Sequence, residues 1–200
     1  MKEATESGKG LRLIRGGLGQ ETVLGNIKVV AATDGSRPFH IDAVVFEEDT
    51  WLVMSADPKV FQPEIHPIRL MTELIEARPE IPGRVLTRQG RPMRFLAIVH
   101  DFNMDPTWRE EWISQTLGEV FTQSEKRKMK ALGIPLLCTR HGRLDQDRFL
   151  LLLARAVENT IFEYLRRLWL ITYPGADRRL IERLEKHWRN LRDNGMGNDE

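Results

Sequence analysis

The residues best placed to do chemistry lie in the turn 139–143, which reads Thr-Arg-His-Gly-Arg. The apolar run 134–138 before it is typical of a buried strand, and an apolar helix begins at about Asp145. Glycine lets a backbone amide approach an anion, and the positive end of a helix dipole favours negative charge. Arginine binds phosphate through two parallel hydrogen bonds. The pattern therefore predicts a phosphate site made by Thr139, Arg140, His141, Gly142 and Arg143. The alternative is an ordinary connection with surface arginines.

A second candidate, His100 with Asp101, follows the apolar stretch 94–99, which is also typical of a strand. A histidine beside a carboxylate can act as a general base or bind a metal. In open α/β sheets, ligands bind in the crevice at the carboxyl ends of the strands, so these residues can lie close to His141 if the two strands are neighbours. The alternative is a plain turn. Asp101 and Asn103 are good turn formers, and the residue types favour this interpretation.

Cys138 and His141 have the spacing of half a zinc site. The chain has one cysteine, so completing the site would need His100 and a carboxylate. A small buried apolar residue is the more typical role for Cys138. We therefore predict no metal and no cofactor.

The elements that position these residues mix strands with helices. Apolar or turn-bounded runs predict strands at 11–14, 22–32, 41–46, 51–54, 84–87, 94–99 and 134–138, with Gly16, Gly17 and Gly19 in the first turn. Helical periodicity predicts helices at 68–77, from Thr107, from Asp145 to Leu168, and across 180–191. Thr107 and Glu110 have the spacing of a capping box. Several strands are too continuously apolar for simple alternation, which indicates a sheet buried on both faces. The fold class predicted is a three-layer α/β/α mixed sheet.

The composition of the chain argues against some classes of function. The 200 residues are 41% hydrophobic and 30% charged, as in soluble globular proteins, and the formal net charge of +1 gives no global attraction to nucleic acid or membrane. No run approaches the roughly 20 apolar residues that span a bilayer, and the polar N-terminus lacks a signal peptide. With a single cysteine, these features predict a cytoplasmic protein.

The C-terminal region 155–193 is rich in arginine, but acidic residues recur between the arginines at helical spacing. This pattern favours internal ion pairs over nucleic-acid binding. The apolar stretch 169–171 and Tyr173 are predicted to pack on the domain or to form a homodimer contact through the C-terminal helices.

Three stretches resemble macro domains, the α/β/α modules that bind ADP-ribose. Residues 41–45, Ile-Asp-Ala-Val-Val, are similar to the family's strand V-D-A-I-V. Residues 83–86 followed by 94–99 resemble the strand pair before its crossover helix, and 133–142 resemble the strand P-A-L-x-T-G with the second ligand loop. The order matches over roughly residues 25–160. The resemblance implies an ADP-ribose-binding fold and makes Asp34 a loose counterpart of the family's adenine-reading aspartate.

The sequence also departs from that pattern. Val45 is followed by Phe46-Glu47-Glu48-Asp49 instead of Asn-Ala-Ala-Asn and a glycine run. Three carboxylates near a diphosphate would repel it. In addition, His100 comes after its strand, whereas the family's His-x-Val-x-Pro motif lies within one. The departures imply a divergent relative in which ADP-ribose binding is altered or lost.

These observations predict a mobile tail at 1–10, a macro-like domain at 11–160, C-terminal helices at 161–193 packed on the domain or a partner, and a frayed tail at 194–200. The predicted function is to bind a nucleotide or an ADP-ribose-related phosphate ligand at a strand-end crevice. The alternative is a non-enzymatic structural or interaction protein that keeps the fold without the ligand. A hydrolase of ADP-ribosyl or phosphate esters would use His100 or Asp101 to activate water, but the sequence supplies no complete catalytic set.

Overall fold

The computed structural model describes residues 21–54, 78–174, 176 and 179–195. The predicted tail 1–10, the strand at 11–14 with its glycine turn, and the helix at 68–77 lie outside these ranges. So does the end of the predicted tail 194–200; residues 194 and 195 close the last helix.

Seven strands form one sheet in the order β1-β2-β7-β6-β3-β5-β4. They are β1 Glu21–Leu24, β2 Ile27–Thr33, β3 Ala43–Asp49, β4 Val85–Arg88, β5 Met93–His100, β6 Ala131–Pro135 and β7 Arg167–Thr172. The five central strands are parallel, and β1 and β4 are antiparallel edges. The described helices are α1 Glu110–Lys126, α2 Gln146–Glu158 and α3 Leu180–Gly195. The sheet is therefore mixed, as predicted.

Alternate strand residues face opposite sides of this sheet. Val45, Phe95 and Leu168 belong to the larger core, which they share with the buried faces of α1, α2 and α3. Trp169 on the opposite face packs with Ile41 in a second, smaller apolar cluster. Apolar residues on both faces explain why the central strands are nearly continuous apolar runs. The predicted class, a three-layer α/β/α fold, is confirmed.

The long C-terminal helix predicted to reach Leu168 is wrong. Helix α2 ends at Glu158, and residues 167–172 form β7, which lies between β2 and β6. Leu168 and Leu170 face one side while Trp169 and Ile171 face the other, and periodicity alone cannot distinguish such a run from a buried helix. The boundary predicted at 160 thus precedes a central strand. The apolar stretch 169–171, predicted to pack on the domain or to form a homodimer contact, is part of this strand, and Trp169 and Leu170 are buried within the chain.

Three local predictions also need correction. The N-terminal hairpin turns at Gly25, whose φ of +60° suits glycine, so the strand predicted at 22–32 is split in two. Residues 51–54 form turns instead of a strand. Helix α1 begins at Glu110, not at Thr107, and its N-cap Arg109 makes no side-chain cap.

Two backbone hydrogen bonds fix the chain where β3 ends. The Thr50 amide donates to the His100 carbonyl at 2.9 Å. The Thr50 carbonyl accepts the Glu80 amide at 2.7 Å. These bonds place Thr50 beside His100 at the end of β5 and beside Glu80, which precedes β4.

Among the residues that the structure describes, no helix combines the length and the apolar character needed to cross a membrane.

Candidate ligand cleft at the carboxyl ends of the strands

A cleft of about 1060 Å³ opens beside the carboxyl ends of β2, β3, β6 and β7. Its floor is apolar and includes Phe46, Trp169 and Ile171. Polar side chains converge on it from three different strand ends; they include Asp34, Glu47, Arg140 and His141. An apolar pocket with a few convergent polar groups is the usual form of a small-molecule site.

The charged residues lining this cleft favour an anion. Among the described residues, the lining includes four arginines and two carboxylates; the arginines are Arg37, Arg91, Arg94 and Arg140, and the carboxylates belong to Asp34 and Glu47. The Arg94 guanidinium lies 4.8 Å from the centre of the Phe46 ring, and that of Arg37 lies 5.9 Å from Trp169. Such cation–π contacts hold arginine heads over an apolar floor.

The loop that follows β6, residues 136–145, is called the basic loop below. It brings Arg140 and His141 to the cleft, as predicted for a strand-end turn. Thr139 is engaged elsewhere, because its hydroxyl donates to the Leu136 carbonyl at 2.8 Å. Arg143 is exposed with a φ of +57° and is not part of the cleft lining.

Gly142 was predicted to let a backbone amide approach an anion, but in the structure it makes room for a tryptophan ring. The Trp108 indole nitrogen donates to the Gly142 carbonyl at 2.5 Å. A Cβ at this position would lie 2.4 Å from Trp108 Cδ1 and 2.8 Å from the Cys138 carbonyl oxygen. The absent side chain thus makes room for a tryptophan, and that packed indole fills the space where an anion cradle was expected.

The first turn of α2 is capped by a side chain of the protein itself. The Asp145 carboxylate caps it by accepting the Arg148 amide at 3.1 Å. The Arg148 guanidinium binds both oxygens of Glu110 at 2.6 and 2.7 Å. These hydrogen bonds hold the pKa of Glu110 below its usual value. The ion pair therefore joins α1 to α2, the helix that begins directly after the basic loop, and the end of α2 is already occupied by a carboxylate.

Residues 47–54, which are the end of β3 and the turns directly after it, are called the acidic loop. Its Asp49 carboxylate is fully buried and accepts the amides of Trp51, Val53 and Met54 at 2.7, 2.8 and 2.9 Å. Glu48 is also buried and accepts the Met54 amide at 2.8 Å. Two of the three carboxylates expected to repel a diphosphate therefore point into the protein, and only Glu47 lines the cleft.

Glu47 is the centre of a polar cluster with His100, Cys138 and His141, and it is the carboxylate that the sequence left unidentified. One of its oxygens lies 2.5 Å from His100 Nε2 and 3.7 Å from His141 Nδ1. The other accepts the Cys138 amide at 3.1 Å. The Cys138 sulfur lies 3.8 Å from His100 Nε2. Burial, and then the Glu47 charge, raise the pKa of the Cys138 thiol.

Among the described residues, the two predicted catalytic candidates, His100 and Asp101, have separate partners and are not hydrogen-bonded to each other. His100 is 1% exposed, with Nδ1 2.9 Å from the Thr107 hydroxyl and Nε2 on Glu47, so both ring nitrogens are engaged. The Asp101 carboxylate instead accepts the Asn103 amide at 3.0 Å, as the turn alternative predicted. Asp101 is not part of the cleft lining.

Solved structures with the same fold are macrodomains. The Oceanobacillus iheyensis macrodomain with ADP aligns with a TM-score of 0.60 at 10% identity, covering 87% of this chain and 96% of that one. The macro domain of ganglioside induced differentiation associated protein 2 gives 0.58 at 10% identity, over 82% and 86% of the two chains. The macrodomain of Thermus aquaticus DarG gives 0.52 at 16% identity, over 72% and 97%.

No family model and no curated protein matches the sequence. At these identities the structural likeness shows the fold alone. The chain therefore has a macro domain-like fold, as the three stretches of sequence resemblance implied.

Proposed function

We propose that the cleft binds a nucleotide or an ADP-ribose-related phosphate ligand. The observation that carries this proposal is the surplus of arginine over carboxylate on an aromatic floor at the strand ends. A low-dielectric floor strengthens the attraction between guanidinium groups and phosphate. The partly exposed rings of Phe46 and Tyr173 offer a surface on which a base can stack.

The polar cleft residues form two groups, one for the phosphate end and one for the nucleoside end of such a ligand. Arg140 and His141 are exposed donors that bind phosphate oxygens. Asp34 stands at the other side, after β2, where its carboxylate accepts hydrogen bonds from an amino group or a ribose hydroxyl. Structures of the Oceanobacillus iheyensis macrodomain with ADP, and of a glycine-to-valine mutant of it with ADPR, support a ligand of this chemical class.

The mode of binding differs from a cradle of backbone amides. In the acidic loop, the amides of Trp51, Val53 and Met54 already bond to the Asp49 carboxylate. A ligand phosphate would have to displace an internal anion to reach them. The proposed ligand is therefore held mainly by side chains, with Arg140 as the chief phosphate donor.

Titration calorimetry with ADP-ribose, ADP, AMP and adenosine tests this proposal. We expect the phosphorylated compounds to bind and adenosine to bind much more weakly. Arg140→Ala should weaken ADP-ribose binding about 10-fold, because a charge-assisted hydrogen bond contributes roughly 1.5–3 kcal/mol. Arg84→Ala, which removes an exposed arginine outside the cleft, is the matched control and should leave the affinity unchanged.

Absence of binding by any phosphorylated compound to the folded protein would overturn the proposal. That result would favour the alternative, a structural or interaction protein that keeps the fold. Equal losses for Arg140→Ala and Arg84→Ala would show nonspecific attraction to a basic surface instead of a site.

A further inference from the structure

We propose that Glu47, His100, Cys138 and His141 form a binding site for one Zn²⁺ ion. Ligand atoms of the first three all lie within 4.8 Å of one another, and His141 Nδ1 lies 3.7 Å from the Glu47 carboxylate. The sequence indicated that Cys138 and His141 would need His100 and a carboxylate to complete such a site, and it predicted no metal. The fold brings the other two from β3 and β5.

The distances fit a tetrahedral ion. Bonds of about 2.0–2.3 Å to N, O and S place neighbouring donor atoms roughly 3.3–3.8 Å apart. The distances of 3.8 Å from Cys138 Sγ to His100 Nε2 and 3.7 Å from Glu47 to His141 satisfy this condition. The Glu47–His100 contact, at 2.5 Å, is shorter than this and has to lengthen by about 0.8 Å when both groups bind one ion.

The surroundings orient the donor atoms. The Thr107 hydroxyl engages His100 Nδ1, which leaves Nε2 as the ligating nitrogen. The Cys138 amide holds the second Glu47 oxygen. Cys138 itself has a φ of +60°, a conformation that non-glycine residues rarely adopt, and in it the fully buried sulfur lies beside His100.

The donor types select the ion. A thiolate, two imidazoles and one carboxylate suit Zn²⁺ and its spectroscopic substitute Co²⁺, whereas Mg²⁺ and Ca²⁺ prefer oxygen donors only. The thiolate and the carboxylate together balance a charge of +2. His141 is the exposed member, and it and Glu47 line the ligand cleft, so the ion would face that cleft on one side.

Cobalt binding to the intact wild-type chain, with no nucleotide present, is the decisive test. Because Cys138 is the single cysteine, a sulfur-to-cobalt charge-transfer band identifies it as a ligand without any mutation. We expect one Co²⁺ per chain, with that band and the strong visible absorption of tetrahedral cobalt. Addition of one equivalent of Zn²⁺ should abolish both signals. A folded wild-type protein that gives no charge-transfer band overturns the proposal.

Variants then test each donor by competition with a chromophoric zinc chelator. Cys138→Ser and His100→Gln should lower zinc affinity more than about 100-fold, and Thr107→Val, which removes a group that only orients His100, by about 10-fold. His141→Ala should weaken binding while leaving the thiolate band, and its control His40→Ala should match the wild type, because His40 is an exposed histidine outside the cleft. Circular dichroism establishes that each variant is folded. Zinc affinity that is unchanged in both folded Cys138→Ser and folded His141→Ala would contradict the proposal.

This inference stands apart from the proposed nucleotide function. Zinc binding without nucleotide binding would support the metal site and reject the ligand cleft. Nucleotide binding by a protein that takes up no metal would support the ligand cleft and reject the metal site.

Discussion

The acidic loop at the end of β3 and the basic loop after β6 lie at the same edge of the sheet but use their polar groups in opposite ways. In the acidic loop, the carboxylates of Glu48 and Asp49 turn inward and bond to the loop's own amides. In the basic loop, Arg140 and His141 point toward the cleft. The charge in one loop is used to fold the chain, and the charge in the other is available to a ligand.

The contrast shows that the presence of acidic residues in a loop does not by itself determine how strongly the loop repels a phosphate ligand. Three consecutive acidic residues suggest strong repulsion of phosphate, but only Glu47 lines the cleft. Buried carboxylates with several amide partners act as internal anions that complete a turn. The field felt by a ligand depends on where each carboxylate points, and this is set by the tertiary structure.

The largest expected effect comes from Asp49→Ala in the acidic loop. The change leaves the Trp51 and Val53 amides without their acceptor and removes one of the two carboxylates that bind the Met54 amide, so we expect the free energy of unfolding to fall by about 3 kcal/mol or more. Urea denaturation measures it. Asp101→Ala is the matched control, because Asp101 accepts one backbone amide in a more exposed turn, and it should lose about 1 kcal/mol or less. Similar losses for the two variants would mean that the Asp49 contacts contribute little.

Gly142→Ala tests how the basic loop is packed. The added methyl group meets the Trp108 ring and the Cys138 carbonyl, neither of which can move away freely, so we expect a loss of about 1–3 kcal/mol. Gly35→Ala is the control, because a Cβ there meets nothing within 4 Å, and its effect should stay within about 0.5 kcal/mol. Thermal or urea unfolding compares them. A neutral Gly142→Ala would show that Trp108 does not fill this space.

Glu47→Gln tests how strongly the one acidic-loop carboxylate in the cleft repels a phosphate ligand. Removing the one acidic-loop carboxylate that faces the cleft should strengthen ADP-ribose binding about 3- to 5-fold in metal-free buffer, since a like charge is lost at partial solvent exposure. Calorimetry with a chelator present measures the change. Weaker binding would indicate that Glu47 accepts a hydrogen bond from the ligand instead of repelling it.

The smallest expected effect concerns the ion pair between Glu110 and Arg148, which joins α1 to α2. Because Arg148 lowers the pKa of Glu110, the pair stabilises the fold above the carboxyl's ordinary value of 4.5, and the contribution is lost as the pH falls through the lowered value. At neutral pH, Glu110→Gln should cost about 0.5 kcal/mol, because both side chains are substantially exposed. Urea unfolding of both proteins should show this difference vanish in acid. A difference that does not change with pH would exclude the ion pair as its cause.

Much of the fold could be predicted because its signals are local. The strands at 41–46, 84–87 and 94–99 were found within a few residues, since each is an apolar run bounded by turn residues. Strand β7 was missed because burial on both faces removes the alternation that marks a strand. The strand predicted at 51–54 is wrong because the Asp49 carboxylate binds the amides that a strand would need.

The site was only partly predictable because its contacts join distant parts of the chain. Arg140 and His141 were found from a local pattern of strand, turn and helix. Glu47 lies 53 residues from His100 and 91 from Cys138, so no spacing rule relates them. Thr107 has the spacing of a helix cap, but its hydroxyl bonds instead to His100, which precedes it by 7 residues.

The carbonyl of Thr50 accepts the amide of Glu80, so these two residues lie side by side. Closing a longer connection between residues held together in this way costs little entropy, about 0.6 kcal/mol for each doubling in length. We therefore expect a flexible peptide or reporter inserted between them to change the free energy of unfolding little and to leave the strand order unchanged.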